Sequence, residues 1–201
     1  EICQGISKNI FVIPKIFLRL PKQFFLDFFD KMCYNKPSHQ SLLMKEQEKF
    51  MSITISEVQT KKDLVRWVEF PNKLYRNNEF FVPFLREDEI DTFTKEKNPS
   101  YAFCETRLFL AYRDGEIVGR IAGLINHAYN EKWKQNAIRY TRFDFIDDYE
   151  VSKALLDAVI AWGRERGFGE IMGPMGFNDT DHQGMLVEGF DQLNMSVTFY
   201  N

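Results

Sequence analysis

The sequence predicts an α/β domain over residues 51–201, and three observations carry the prediction. Segment 107–125 holds two apolar, β-rich runs flanking Asp114-Gly115, a dipeptide favoured where a two-residue hairpin turn needs positive φ. Segment 148–166 sets Ala154, Leu155, Ala158, Val159 and Trp162 in one stripe at helical spacing, as a helix buried on one side requires. The elements follow in the order strand, helix, helix, hairpin, strand, long amphipathic helix, strand, and this alternation is that of an α/β chain.

Taken in order, ITISEV at 53–58 alternates and is β-branched, so it reads as a strand. Thr60 is placed to cap a helix, with Asp63 three residues on and Leu64, Val65, Trp67 and Val68 on one face. Pro71 is expected to end or kink that helix, because it has no N–H to continue the ladder. NNEFFVPFLREDEIDTF at 77–93 is an aromatic loop running into a short acidic helix. Residues 107–113 and 116–125 form the antiparallel pair. In AIRYTRFDFID, at 137–147, Ile138, Tyr140, Arg142 and Asp144 alternate against Arg139, Thr141, Phe143 and Phe145. Asp147 and Glu150 fit a capping box for the long helix, and Gly167 is a natural stop. EIMGPMGF, at 170–177, is a short strand that breaks into Gly-Pro turns, and the remainder is loop-like.

Composition narrows the function classes. The 201 residues carry a formal charge of −3, with 44% hydrophobic residues and 20 Phe. A near-neutral charge gives no support for a nucleic-acid partner, and the apolar share suits a packed core rather than a disordered chain. Cys3, Cys33 and Cys104 are odd in number, with no metal-ligand spacing, so a reducing, cytoplasmic setting is expected. Cys104 reads as a small buried hydrophobe rather than a nucleophile. No apolar run is long enough to span a bilayer; 9–29 comes nearest and is broken by Pro14, Lys15, Arg19, Pro21, Lys22 and Asp27.

The chain changes character near residue 50. Residues 1–36 have a net charge of +3 and clumped apolar residues, 37–50 are polar, and Met51 directly precedes the first strand. Residues 1–50 are therefore read as an N-terminal extension, poorly ordered or upstream sequence. Three accounts of it stand: sequence joined ahead of a true start at Met51, a basic Phe-rich interfacial helix with peripheral membrane contact through 9–31, or a partner-binding or packing arm. Because the chain opens on Glu1 and stops mid-pattern, both ends are expected to be those of a fragment.

FLAYRDGEIVGRIAG resembles the second and third strands of the GNAT superfamily of N-acyltransferases, and WGRERGF before EIMG resembles its central helix and fifth strand. EFPNKLYR, FVPFLREDE, NPSYAF, LFLAYRDGEIVGRIAGLIN, the GP of MGPMGFN, and GMLVEGFD resemble a little-characterised bacterial GNAT-like family. The resemblance covers about residues 53–201. It implies a twisted mixed β-sheet with helices on both faces, truncated at the C-terminus. It also implies acyl transfer from a CoA or carrier thioester to an amine, with acyl-CoA or acetyl-CoA as co-substrate and a small-molecule or lipid amine as acceptor. The rival expectation is a non-catalytic binding or regulatory module on the same fold.

In that family a Gly-containing loop before the central helix holds the CoA pyrophosphate. The matching positions here are Phe145, Ile146, Asp147, Asp148, Tyr149 and Glu150. They contain no Gly and three carboxylates, which also suit an ordinary capped helix. Phosphates held there would need cations, and Arg139, Arg142 and Lys153 are the nearest in sequence. Amine acylation needs a proton acceptor, and an acid for the leaving thiolate. The candidates are Asp144 near the end of the third core strand, Glu105, Asn126 and His127 around the hairpin, and His182 after the GP turn.

Overall fold

The structure, a computed structural model, describes residues 52–193. The readings of residues 1–50, with the lipid contact assigned to 9–31, lie outside the described residues. Five strands form one sheet in the order β1 (Thr54–Glu57), β2 (Cys104–Arg113), β3 (Glu116–Asn126), β4 (Ala137–Phe145), β5 (Glu170–Met172). The first four pair antiparallel and β5 joins β4 in parallel, so the sheet is mixed. Helices α1 (Lys61–Leu74) and α2 (Arg86–Thr92) cover one face, and α4 (Tyr149–Glu165) covers the other. Among the described residues no helix is long and apolar enough to cross a membrane.

The hairpin turns at Asp114-Gly115, both with positive φ (+53° and +82°), as a type I′ turn demands. Along β3 the residues divide between two cores. Ile121 and Ile125 face α4, while Ala122 and Leu124 join Trp67 and Val68 beneath α1. Gly119 and Gly123 share the α4 face, and their bare backbone sets the helix–sheet distance. A Cβ on Gly119 would lie 2.8 Å from Leu155, and one on Gly123 would lie 2.9 Å from the Trp162 ring.

Four local expectations are corrected. The buried stripe of α4 is Val151, Ser152, Leu155, Leu156, Val159, Trp162 and Gly163; Ala154 and Ala158 are only half-buried, because the large side chains claim the sheet-facing arc. Its cap is Asp148, which accepts from the Glu150 and Val151 amides, rather than an Asp147–Glu150 box. Pro71 does not end α1. The missing N–H leaves the Trp67 carbonyl without its helical donor, and the Arg120 guanidinium supplies one at 3.0 Å, so the helix runs on to Leu74. A short helix, α3 (His127–Trp133), follows β3 on an Asn126 cap.

The fourth correction bears on the site. Strict alternation in β4 fails at Arg142, whose φ is +51°. The β3–β4 register slips between Arg120 and Ala122, so β4 carries an extra residue there, a β-bulge. Ile138 and Tyr140 face α4 as expected, but so do Phe143 and Phe145 beyond the bulge. Arg139, Arg142 and Asp144 have their partners on the α1–α2 side.

Gly123→Ala should destabilise the domain by about 1–3 kcal/mol through overpacking against Trp162. Gly115→Asn, at a positive-φ site in open space, should stay within about 0.5 kcal/mol. Urea denaturation of the two variants checks the contrast.

Candidate active site

The bulge aims two charged clusters at the α1–α2 layer. In the first, Arg120 donates from Nε to Asp144 Oδ2 at 2.7 Å, from Nη1 to the Trp67 carbonyl at 3.0 Å, and lies 4.5 Å over the Trp67 ring. The Tyr75 hydroxyl donates to Asp144 Oδ1 at 3.2 Å. Burial, and then the charge of Asp144, push the Tyr75 phenol well above its ordinary value, so it stays protonated. The Asp144 side chain is 13% exposed, with both oxygens engaged.

In the second cluster, Arg142 grips Glu89 of α2 in bidentate fashion, at 2.8 and 3.3 Å, and Asp181 at 2.7 Å. Its side chain is 3% exposed. Burial, the largest single influence, would raise the Glu89 and Asp181 carboxyls, but the Arg142 charge and the hydrogen bonds both accept together outweigh it and hold them below the usual carboxylate range. Asp181 also accepts from the Phe177 and His182 amides, tying segment 173–184 to the sheet. His182 is buried with its ring edge-on to Phe84 at 4.4 Å. Arg139 clamps the same segment by donating to the Gly176 carbonyl at 3.0 Å, under the Tyr129 ring.

Beside these clusters β4 and β5 part. Their pairing spans Ala137–Arg139 against Glu170–Met172, the Met175 amide adds one more bond to the Tyr140 carbonyl at 2.8 Å, and β4 then continues to Phe145 with no paired strand on that side among the described residues. Asp144, Phe145, Ile146, Asp147 and Tyr149 therefore gather where the strands diverge, at the start of α4. Ligands of α/β sheets favour such a place, at the carboxyl ends of strands.

Several expected site residues are placed elsewhere. His127 sits at the opposite end of the sheet, bonded to Glu105 at 2.8 Å, while Arg166 holds the other Glu105 oxygen. It is separated from Asp144 by most of the length of β4, on the order of 25 Å at about 3.3 Å per residue, so the two cannot act on one reacting centre. Lys153 turns towards Asp157, at 2.5 Å, instead of back to the helix start. Arg142 is sealed between two carboxylates, so neither it nor Lys153 is offered to a phosphate at the α4 terminus. The cation beside that terminus is Arg113, which pairs with Asp148 at 2.7 Å. Cys104 is buried and its thiol is pushed up to about 11 by desolvation, which suits packing rather than nucleophilic work. Sequence reading missed Tyr75, Arg120 and Glu89. Only Pro71 within a helical pattern hinted at one of them, by marking a carbonyl in need of an outside donor.

No family model matches the sequence. The chain is 32% identical over 133 residues to Protein YghO of Escherichia coli, covering 65% of this chain and 33% of that protein. It is 30% identical over 142 residues to the bacterial ceramide synthase of Caulobacter vibrioides, covering 69% and 36%. The chain thus spans about a third of the length of these curated relatives. Among solved structures, a tandem GNAT protein from the clavulanic acid pathway matches at TM-score 0.47 and 10% identity over 60% of this chain and 35% of that one. A predicted acetyltransferase from Clostridium acetobutylicum, solved with acetyl-CoA, matches at TM-score 0.44 and 12% identity over 60% and 79%.

Glu89 and Asp181 are held below the ordinary range near pH 4, so their stabilisation is present at neutral pH and is lost as acid protonates them. Glu89→Gln should cost about 3 kcal/mol at pH 7, since it removes one partner of a buried ion pair. That deficit should shrink as pH falls below about 4. Denaturant titrations of both proteins across pH 3–7 read it directly.

Proposed function

We propose that this chain, which has the fold of the GNAT superfamily, belongs to an enzyme that moves an acyl group from a thioester to the nitrogen of a lipophilic amine. The observation that carries the reading is the parting of β4 from β5 beside Asp144. A thioester arm entering there would bring its carbonyl to the level of Asp144 and Phe145, next to the apolar residues on the α4 side.

The chemistry then has assigned groups. Asp144, kept in place by Arg120, attracts the substrate ammonium, which releases one proton to solvent; the neutral nitrogen then attacks the thioester carbonyl and passes a second proton to Asp144. The C–N bond forms, the C–S bond breaks and a thiolate leaves. Tyr75, held protonated against Asp144, gives its proton to the thiolate and recovers one from Asp144, so the proton count closes. A lipophilic acceptor is supported by the aromatic loop 77–85, since the Phe81 ring packs tilted against Tyr75 at 4.9 Å and Val82 and Leu85 are exposed. The similarity to a protein named a ceramide synthase, whose product is an amide, supports it too. On this reading residues 9–31 give peripheral contact with a membrane, residues 51–201 are the front of the acyltransferase domain, and the reaction is cytoplasmic.

The test is transfer from a long-chain acyl thioester to a sphingoid-type amine by the full-length protein. Asp144→Asn should lower kcat about 10²–10⁴-fold, in the range of a lost general base, and Tyr75→Phe should lower kcat with little change in KM. Absence of transfer to any long-chain amine would favour the non-catalytic module, which the full engagement of both Asp144 oxygens also suits.

A further inference from the structure

The start of α4 is built differently from a phosphate cradle. A cradle needs backbone N–H groups pointing outwards, usually where Gly or alternating left-handed residues make a nest. Between 145 and 151 no residue has positive φ, and four of the amides are spent inside the protein. Ile146 N donates to the Val118 carbonyl at 2.9 Å and Asp148 N to the Ile146 carbonyl at 2.6 Å. Glu150 N and Val151 N donate to Asp148 Oδ1 at 2.8 and 3.4 Å. The other Asp148 oxygen takes Arg113 at 2.7 Å, so the nearest cation is already neutralised. Asp147 and Glu150 add exposed negative charge on either side. The residues present therefore do not fit a diphosphate.

We propose that the Asp148–Arg113 pair closes the α4 N-terminus to the diphosphate of a coenzyme A donor, so that the donor is selected by its pantetheine arm and acyl chain. The inference rests on the acyl-transfer reading for its donor, but the closed terminus is a property of the chain alone. It makes the donor class any acyl-pantetheine thioester, whatever lies beyond the pantetheine arm. Asp148 is then a specificity-determining residue: its carboxylate occupies the place an anion would take and repels one that approaches.

Calorimetry on the full-length protein separates the two ideas. The probes are inorganic pyrophosphate, palmitoyl-CoA and palmitoyl-pantetheine, each against wild type and Asp148→Ser, a change that keeps a capping oxygen while removing the charge. Wild type should give no heat with millimolar pyrophosphate and should bind the two thioesters within about threefold of each other. Asp148→Ser should bind pyrophosphate and palmitoyl-CoA about tenfold more tightly than wild type, from relief of like-charge repulsion at close range, with palmitoyl-pantetheine unchanged. Micromolar binding of pyrophosphate to wild type, a hundredfold preference for the CoA ester, or no gain in Asp148→Ser would each overturn the proposal. If neither thioester binds but the variant gains pyrophosphate, the closed terminus stands and the acyl-transfer reading falls.

Discussion

Arg142 sits in the left-handed region of backbone space, where a residue with a Cβ is strained by on the order of 1–2 kcal/mol, and its guanidinium shows what offsets the strain. Two carboxylates from different elements, Glu89 on α2 and Asp181 in the segment after β5, close on it with three charge-assisted bonds, two of them short. Such bonds are about twice as strong as neutral ones. The bulge they hold turns the last residues of β4 by one position, sending Phe143 and Phe145 to the α4 core and Asp144 to the α1 side. Without the extra residue Asp144 would point into the apolar core and the phenylalanines towards the ion pairs.

The charges under α1 and α2 form one balanced set. Arg120 meets Asp144 and Arg142 meets both Glu89 and Asp181, while Arg139 donates to the Gly176 carbonyl under the Tyr129 ring, all six charged groups largely buried. Burying so many ions costs desolvation energy that apolar side chains would not incur, so the arrangement serves position more than stability. Each arginine ties β3 or β4 to an element that has no strand pairing of its own. Arg120 reaches α1 through the carbonyl Pro71 cannot serve, Arg142 reaches α2, and Arg139 reaches segment 173–184. Proline in the helix and arginine in the strand are thus two halves of one joint.

What could be read from sequence divides along the same line. The hairpin, the caps at Thr60 and Gly167 and the existence of the long helix depend on neighbours in sequence, and they were legible from turn dipeptides and periodicity. The bulge was not, because it depends on Glu89 and Asp181, respectively 53 and 39 residues away. Assuming unbroken alternation put Arg142 on the same face as Tyr140, when its side chain is turned the other way. Similarly, Lys153 looked free to serve the helix start, but Asp157 one turn on is a nearer partner at favourable i,i+4 spacing. Of the proposed site, Asp144 and the 145–149 stretch were legible; Tyr75 and Arg120, which fix Asp144, were not.

The two ends of the sheet are finished in opposite ways, and this bears on where chemistry can occur. At the β4 start, Glu105 joins His127 and Arg166, linking β2, α3 and the end of α4, and β5 is still paired to β4 there. Nothing in that end diverges. At the β4 finish, β5 has left, the helix terminus is closed by its own aspartate, and a carboxylate and a protonated phenol stand together at partial exposure. A ligand entering there meets apolar rings and a negative charge before it meets any unneutralised cation. Such a place suits an ammonium on a hydrocarbon chain better than a polyphosphate.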